Sequence, residues 1–160
     1  PPLQGDAGYW VKRGDGCAET ADDVQYAPHR EAADALSQAM CLHGIGETEI
    51  RAHVQGDLVK FYGVRGVGFF HCYYPGLDGG WKYSHEVVNG HPHQYTYNRS
   101  VLQQMTERAA ETVGLEVYGG DVIIRPDGSP VLIDLNDWPS FSRCRDEAAT
   151  AIARLIMNNG

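Results

Sequence analysis

The sequence of 160 residues predicts an α+β fold in which antiparallel hairpins are backed by about three helices. Two turn dipeptides, Gly56-Asp57 and Asp127-Gly128, separate runs rich in β-branched residues, as tight β-hairpins require. Three other segments repeat apolar residues at the spacing of a helical turn. With 42% hydrophobic residues the chain can build a real core, and we expect one domain over residues 1–160.

The amino-terminal part of the chain predicts two short strands and a helix. Residues 9–12 and 23–27 are typical of strands and are separated by a loop rich in glycine and acidic residues. Pro28 fits the first turn of the helix, and Gly44 and Gly46 stop it. The apolar stripe of this helix consists of Ala32, Ala33, Leu36, Ala39 and Met40.

The first turn dipeptide predicts a hairpin between strands over residues 48–54 and 58–64. In a two-residue turn at Gly56-Asp57, His53 stands opposite Lys60, and Arg51 shares their face. Apolar residues fill the other face, so the hairpin would present one cationic face. That face either helps to bind an anionic ligand or is an ordinary solvated sheet surface.

An aromatic strand over residues 67–74 and a long loop over residues 75–97 come next. Loops of that length inside a compact domain are usually functional or disordered. Asn98 or Ser100 caps the second helix, and Gly114 ends it. Two helices flank the second hairpin and carry these apolar residues inward: Leu102, Met105, Ala109 and Val113 in one, Ala149, Ile152, Ala153 and Ile156 in the other.

The second hairpin gathers acidic residues on one face. A two-residue turn at Asp127-Gly128 places Asp121 directly opposite Asp134, and Asn136 lies two residues further along the same face. A three-residue loop over 127–129 would instead shift the pairing by one residue and separate the two aspartates. The other face collects apolar residues, which fits burial in a core: Val122, Ile124, Val131, Ile133 and Leu135.

Two opposed aspartates need a compensating charge. Their Cβ atoms would be about 5 Å apart, and two unit charges at that distance repel by ~3 kcal/mol at an effective dielectric constant of ~20. A divalent cation, a shared proton or an arginine would offset this repulsion. The all-oxygen donors of Asp121, Asp134 and Asn136 suit Mg²⁺ or Mn²⁺ better than zinc. The alternative is that Asp134 and Asn136 only cap the following loop.

Composition excludes several classes of partner. A formal net charge of −8 argues against nucleic acid or an acidic membrane as the binding partner. No apolar run approaches the ~20 residues of a membrane span. The four cysteines are scattered and no secretory signal precedes them, so we expect reduced thiols in a cytoplasmic protein. The chain starts at Pro1-Pro2 without methionine, so a trimmed or partial chain is one possibility.

Three motifs in this order resemble the ATP-grasp enzymes, which hold ATP between two α+β subdomains. A strand that ends in Lys12 resembles the family strand whose lysine contacts nucleotide phosphates. Residues 53–64 are similar to the stretch after the adenine-binding hinge, especially in the inositol phosphate kinase branch. Gly120-Asp121, followed by Asp134-Leu135-Asn136 and Pro139, is similar to the metal-binding signature of the family. The matches cover only the nucleotide-binding half of a typical member.

The resemblance implies roles for particular residues. Asp121, Asp134 and Asn136 would hold Mg²⁺ or Mn²⁺, with aspartate at 134 where glutamate is more common. The implied ATP-binding residues are Lys12, Arg51, Ala52, His53, Val54, Asp57 and Lys60, of which the backbone of 52–54 would contact adenine. Lys12, Lys60 and Arg143 would also serve catalysis. Arg143 and Arg145 both follow the metal-binding strand, and that position suits contact with an acyl phosphate or an acidic substrate.

The resemblance implies an ATP-dependent ligase that phosphorylates a small-molecule carboxylate and lets an amine attack the acyl phosphate. A kinase that acts on a hydroxyl group would keep the same site and change only the acceptor. A non-catalytic nucleotide-binding or assembly module is the third possibility, since the amino-terminal lobe of the family is missing here. That lobe, or a second copy of the chain, is the partner that the resemblance suggests.

Overall fold

A computed structural model describes residues 7–16, 20–75 and 91–158 of the chain. The described residues form a mixed α+β structure with two antiparallel sheets and three α-helices, as the sequence predicts. They divide into two compact units, one made of residues 7–16 and 20–55, the other of 56–75 and 91–158. The prediction of a single domain over residues 1–160 stays a prediction.

The first unit is a three-stranded sheet with one helix on one face. Its strands are β1 (Tyr9–Arg13), β2 (Val24–Ala27) and β3 (Thr48–Ala52), with β1 in the centre, and a 3-10 helix (Ala21–Asp23) precedes β2. Helix α1 (Arg30–Leu42) begins after His29, whose side chain accepts a hydrogen bond from the Ala32 amide. Pro28 therefore precedes the cap. The core of this unit contains Val11, Ala27, Ala33 and Met40.

The second unit is a four-stranded sheet with a helix on each face. The strands are β4 (Asp57–Val64), β5 (Phe69–Tyr73), β6 (Val117–Ile124) and β7 (Pro130–Asp137), in the order β5-β4-β6-β7. Helix α2 (Arg99–Thr112) buries Leu102 and Ala110 against one face. Helix α3 (Arg145–Asn158) buries Ala148 and Ala151 against one end of the other face.

The predicted hairpin between β3 and β4 is wrong. Strand β3 pairs with β1, so that Arg51 lies opposite Trp10, whereas β4 pairs with β5 and β6. Gly56 has φ of +149°, far from the value of about +60° that glycine has at the first position of a type II′ turn, and the chain there passes from one sheet to another instead of folding back. The cationic face expected from Arg51, His53 and Lys60 is therefore divided between the two units.

The helices lie where the sequence predicts, but two of their apolar faces differ. Asn98 caps α2 as expected, since its side chain accepts hydrogen bonds from the Ser100 and Val101 amides, whereas Val113 at the other end of the helix is 61% exposed. On α3 the buried face is rotated, because small Ala148 and Ala151 approach the sheet and Ile156 remains exposed. No helix among residues 7–16, 20–75 and 91–158 is long and apolar enough to cross a bilayer.

Candidate functional site

The loop of the acidic hairpin has three residues, not the two that the sequence suggested. The Arg125 amide donates to the Ser129 carbonyl over 3.0 Å, and the Gly128 amide donates to the Arg125 carbonyl over 2.9 Å. Gly128 has φ of +80°, the left-handed conformation that closes such loops. Val122 consequently faces Leu132, one residue away from the predicted register. Continued along the strands, this register would separate the two aspartates.

A β-bulge restores the opposition of the two carboxylates. The register shifts between Asp121 and Val122, so Asp121 lies opposite Asp134 and Ile133 is the additional residue of β7. The opposed pair is therefore confirmed, although the predicted turn is wrong. One consequence changes the core, since Leu132 packs there together with Leu135 in place of the predicted Val131 and Ile133. Bulges re-aim side chains and are over-represented next to active sites.

Lys60 supplies a compensating cation beside this pair. Strand β4 places Lys60 opposite Asp121, and its ammonium donates to both carboxylate oxygens, over 2.9 and 3.2 Å. The side chains are 23% and 17% exposed, which shields the ion pair from much of the solvent. On the other side, the Asn136 amide donates to the Asp134 carboxylate over 2.7 Å. Two hydrogen-bonded pairs of polar side chains, one of Lys60 with Asp121 and one of Asn136 with Asp134, thus lie side by side on β4, β6 and β7.

The row continues to Tyr73 on β5 and to Arg143. Tyr73 lies opposite Lys60, and the guanidinium carbon of Arg143 lies 4.3 Å from the centre of the Tyr73 ring. Phe141 and Cys144, both buried, hold the backbone on either side of Arg143. Burial raises the pKa of Tyr73, and a hydrogen bond with the Tyr62 hydroxyl adds to the shift. Tyr73 therefore presents a neutral ring to the arginine.

This charged row lies at the end of the sheet face that α3 leaves uncovered. At the other end of the same face, Tyr62, Val64 and Val117 pack against α3. Gly119 sits between these two regions, and a side chain there would collide with the ring of Pro139. We call the row of Tyr73, Lys60, Asp121, Asp134 and Asn136, together with Arg143, the charged row.

Other predicted ligand-binding residues lie in the first unit. Lys12 faces Glu49 across β1 and β3, and Glu49 also forms an ion pair with Arg51 at 2.7 Å. The indole of Trp10 donates to Nδ1 of His53 over 3.0 Å. By strand alternation Trp10, Lys12 and Arg51 lie on the sheet face away from α1. Ala52 alternates to the other face, and both Ala52 and Val54 are half-buried.

The Asp57 carboxylate forms hydrogen bonds with the loop that precedes α2. Its side chain is 1% exposed and accepts hydrogen bonds from the backbone amides of His93, over 2.8 Å, and Tyr95, over 3.0 Å. The ring of His93 also lies 3.2 Å from the same carboxylate. These contacts account for Asp57 as a structural anchor of residues 91–97. Most of the long loop, residues 76–90, is outside the described residues.

The atoms of the charged row that could bind a metal ion are few, and all of them are oxygen atoms. Within the described parts of the chain, no group of three or more His, Cys, Asp or Glu side chains is arranged to hold a metal ion. Asp121, Asp134 and Asn136 offer two carboxylates and one amide oxygen. Such a set leaves most positions of an octahedral ion to water or phosphate oxygens, which is the way Mg²⁺ binds at phosphoryl-transfer sites.

The sequence did not reveal the contribution of Tyr73 or of the bulge. Tyr73 belongs to the aromatic strand that was predicted, but its position opposite Lys60 depends on which strand lies next to β5.

Comparison of the chain with models of known protein families and with curated proteins finds no match. The geometry of the charged row therefore carries the argument about function.

Proposed function

We propose that the chain is a Mg²⁺-ATP-binding domain of the ATP-grasp type, belonging to an ATP-dependent ligase that activates a carboxylate as an acyl phosphate and transfers it to an amine. The observation that supports this most is the bulge at Ile133. It disturbs the ladder between β6 and β7, and its effect is to turn Asp134 toward Asp121. A hairpin that served only the core would gain nothing from two opposed carboxylates.

The side chains present fit a magnesium ion with phosphate ligands. Asp121, Asp134 and Asn136 are hard oxygen donors on adjacent strands, as Mg²⁺ prefers. When bound, the ion would neutralise phosphate charge and stabilise the phosphoryl group in transfer. Lys60, already hydrogen-bonded to Asp121, is placed to exchange that partner for a phosphate oxygen.

Catalysis at this site would consist of positioning and electrostatic stabilisation. Lys60 is a cation at a partly buried sheet face, where it stabilises developing negative charge better than in water, and Arg143 is an exposed cation beside Tyr73. No covalent nucleophile is required, since the carboxylate of the substrate attacks the phosphorus itself.

One observation favours a second candidate, a nucleotide-binding module without catalysis. Lys60 already compensates the charge of Asp121 through two hydrogen bonds. If that ion pair persists in the presence of nucleotide, Asp121 has less charge to offer a metal ion, and the row would be a structural network. Absence of ADP release in the presence of pooled amines and carboxylates, despite nucleotide binding, would select this candidate.

Thermal unfolding with Mg²⁺-ATP tests the binding proposal. At a ligand concentration of about 100 times Kd, we expect a gain of ~2.7 kcal/mol, which corresponds to a rise in Tm of roughly 5–10 °C. The double variant Asp121→Asn/Asp134→Asn should lose this rise. Asp34→Asn, which changes an exposed aspartate paired with Arg30 on α1, is the matched control and should keep it. A wild-type chain whose Tm does not respond to Mg²⁺-ATP would refute the proposal.

A further inference from the structure

A groove of about 590 Å³ lies in the second unit, where α2 leads into β6 and β7 ends. The segment that enters β6 contributes Leu115 and Val117 to the lining, and Trp138, the first residue after β7, adds an aromatic ring. The carboxyl-terminal half of α3 contributes three further apolar residues: Ile152, Leu155 and Ile156. No residue of the charged row lines this groove, so it is a separate feature of the unit.

Exposed apolar side chains are concentrated around the groove. Four of them are between 61% and 71% exposed and either line the groove or adjoin a lining residue in the chain: Val113, Trp138, Ile156 and Met157. Within the described ranges three other large apolar side chains are exposed, and they lie on β2, on α1 and at the start of α2: Tyr26, Leu42 and Val101. Exposed apolar groups that cluster beside polar residues mark an interaction site.

The backbone holds Trp138 in a strained conformation. Its φ is +40°, a left-handed value that bulky residues rarely adopt. The Trp138 amide donates to the Val117 carbonyl over 3.3 Å. Pro139, the next residue, packs on Gly119, where an added Cβ would lie 2.7 Å from the proline ring. Strain that the surrounding structure maintains is typical of functional positions, and here it fixes the backbone of an exposed indole.

Backbone groups along the lining already have partners. The Leu115 amide donates to the Ala110 carbonyl over 2.8 Å, and the Glu116 carbonyl accepts from the Arg65 amide over 2.8 Å. The Val117 carbonyl accepts the hydrogen bond described above. An added strand could not pair with these groups, so recognition at the groove has to come from side chains. An amphipathic helix binds in that way, by laying its apolar face into a groove.

Both charged residues of the lining are acidic. They are Glu116 and Asp137, and the exposed Asp137 directly precedes Trp138. A carboxylate beside an indole suits a cationic group, because the face of the indole also attracts cations. A symmetric contact between two copies would bring the same carboxylates together, and the net charge of −8 adds to that repulsion. Charge complementarity therefore favours a basic partner over a second copy.

We propose that the groove is a docking site for a basic amphipathic helix of a partner protein. Apolar residues at positions i, i+3, i+4 and i+7 of that helix would fill the groove between α3 and β6. A lysine or arginine at the edge of the same face would lie between the Asp137 carboxylate and the Trp138 ring. The proposal is independent of nucleotide binding, because the groove contains no residue of the charged row.

Two sets of synthetic helical peptides test the proposal on the full chain. Each peptide has about 18 residues, or about five helical turns. Leu, Ile, Phe and Met are varied over the apolar positions, and the polar positions are lysine in one set and glutamate in the other. Binding is measured by the fluorescence anisotropy of a label on the peptide, with scrambled peptides as controls. We expect the best lysine peptides to bind at least about tenfold more tightly than their glutamate and scrambled counterparts.

Variants of the apolar lining locate the binding site. Trp138→Gly removes the ring, and glycine adopts φ of +40° without strain, so Tm should change little while peptide affinity falls at least about tenfold. Ile156→Ser should also weaken binding. Leu42→Ala is the matched control, because Leu42 is an exposed apolar residue on α1 in the first unit, and this variant should bind as the wild type does.

A second pair of variants tests the charge. Asp137→Asn should reduce the preference for lysine over glutamate peptides, because it removes a carboxylate from the groove. Asp34→Asn, which changes an exposed aspartate on α1, removes the same charge elsewhere and should keep the preference.

Each of the following outcomes would overturn the proposal. Neither peptide set binds, or the lysine and glutamate sets bind equally well. Affinity is unchanged in both Trp138→Gly and Ile156→Ser, which would place the peptide elsewhere. The Tm of Trp138→Gly falls steeply, which would show that the ring serves the fold. In sedimentation without peptide, a wild-type dimer that both variants abolish would identify a second copy as the occupant.

Discussion

The ion pair of Lys60 and Asp121 gives the sharpest test of how the charged row is held together. Asp121→Asn removes the charge that accepts both hydrogen bonds from the Lys60 ammonium, while the amide keeps the shape of the side chain. Lys60, whose side chain is 23% exposed and therefore 77% buried, then loses the charge of its hydrogen-bonded partner. The cost to stability comes mainly from removing that negative charge beside a partly buried cation.

The size of the expected loss of stability follows from the distance between the two charged groups and from the burial of their side chains. At 2.9 Å the direct attraction is ~6 kcal/mol at an effective dielectric constant of ~20. Desolvation offsets most of it, since breaking a fully buried pair costs ~3–5 kcal/mol and breaking an exposed pair costs less than ~1 kcal/mol. With about a fifth of each side chain exposed, we expect Asp121→Asn to lose about 2 kcal/mol and roughly 4–8 °C in Tm at pH 7.

Urea denaturation of four proteins measures the coupling free energy between Lys60 and Asp121 directly. The four are the wild type, Asp121→Asn, Lys60→Met and the double variant. The double variant should be more stable than the sum of the single changes predicts, by about 1–2 kcal/mol. The coupling should shrink only modestly in high salt, because the pair is partly buried. A coupling below ~0.5 kcal/mol would mean that the Lys60–Asp121 contact contributes no more than a surface pair.

Three further predictions concern other parts of the structure. Gly120→Ala places a Cβ against the Asp134 carbonyl, so the free energy of unfolding measured in urea should fall by at least ~3 kcal/mol. Gly66→Ala is the control: its Cβ meets open space, and only the φ of +77° opposes it, so the fall should be ~1 kcal/mol. Burial raises the pKa of Tyr118 to about 12 in the folded protein, so with rising pH this hydroxyl ionises first in the unfolded chain. The free energy of unfolding should therefore fall between pH 10 and 12. An equally steep fall in Tyr118→Phe would contradict this. Asp57→Asn should accelerate amide exchange in the loop that this carboxylate anchors, and unchanged protection would show that the anchor lies elsewhere.

The local elements could be predicted because the signals that specify them are local. Helix α1 ends before Gly44, and Asn98 caps α2, since apolar spacing and capping chemistry involve residues within one or two turns. The Asp127-Gly128 dipeptide correctly indicated a hairpin. Its loop gained a third residue, because Pro126 supplies a position of the turn and Gly128 takes the left-handed one.

The partners of β3 and β4 could not be predicted in the same way. Gly56 permits a reversal, but β3 finds its partner in β1, about forty residues earlier, where Ile50 and Val11 join one core. Which strand lies next to β4 is likewise decided by contacts with distant strands. Lys60 thereby faces Asp121 instead of His53, which turned an expected cationic face into an ion pair.

The sequence by itself determined the class of fold, the positions of the helices and strands, and the carboxylates that face each other. Tertiary structure decided how that opposition arises, because the three-residue loop separates Asp121 from Asp134 and only the bulge at Ile133 brings them together again. It also decided that Lys60, Tyr73 and Arg143 join them. The physical reason is that strand register and strand order depend on the burial of whole faces, which no short stretch of sequence encodes.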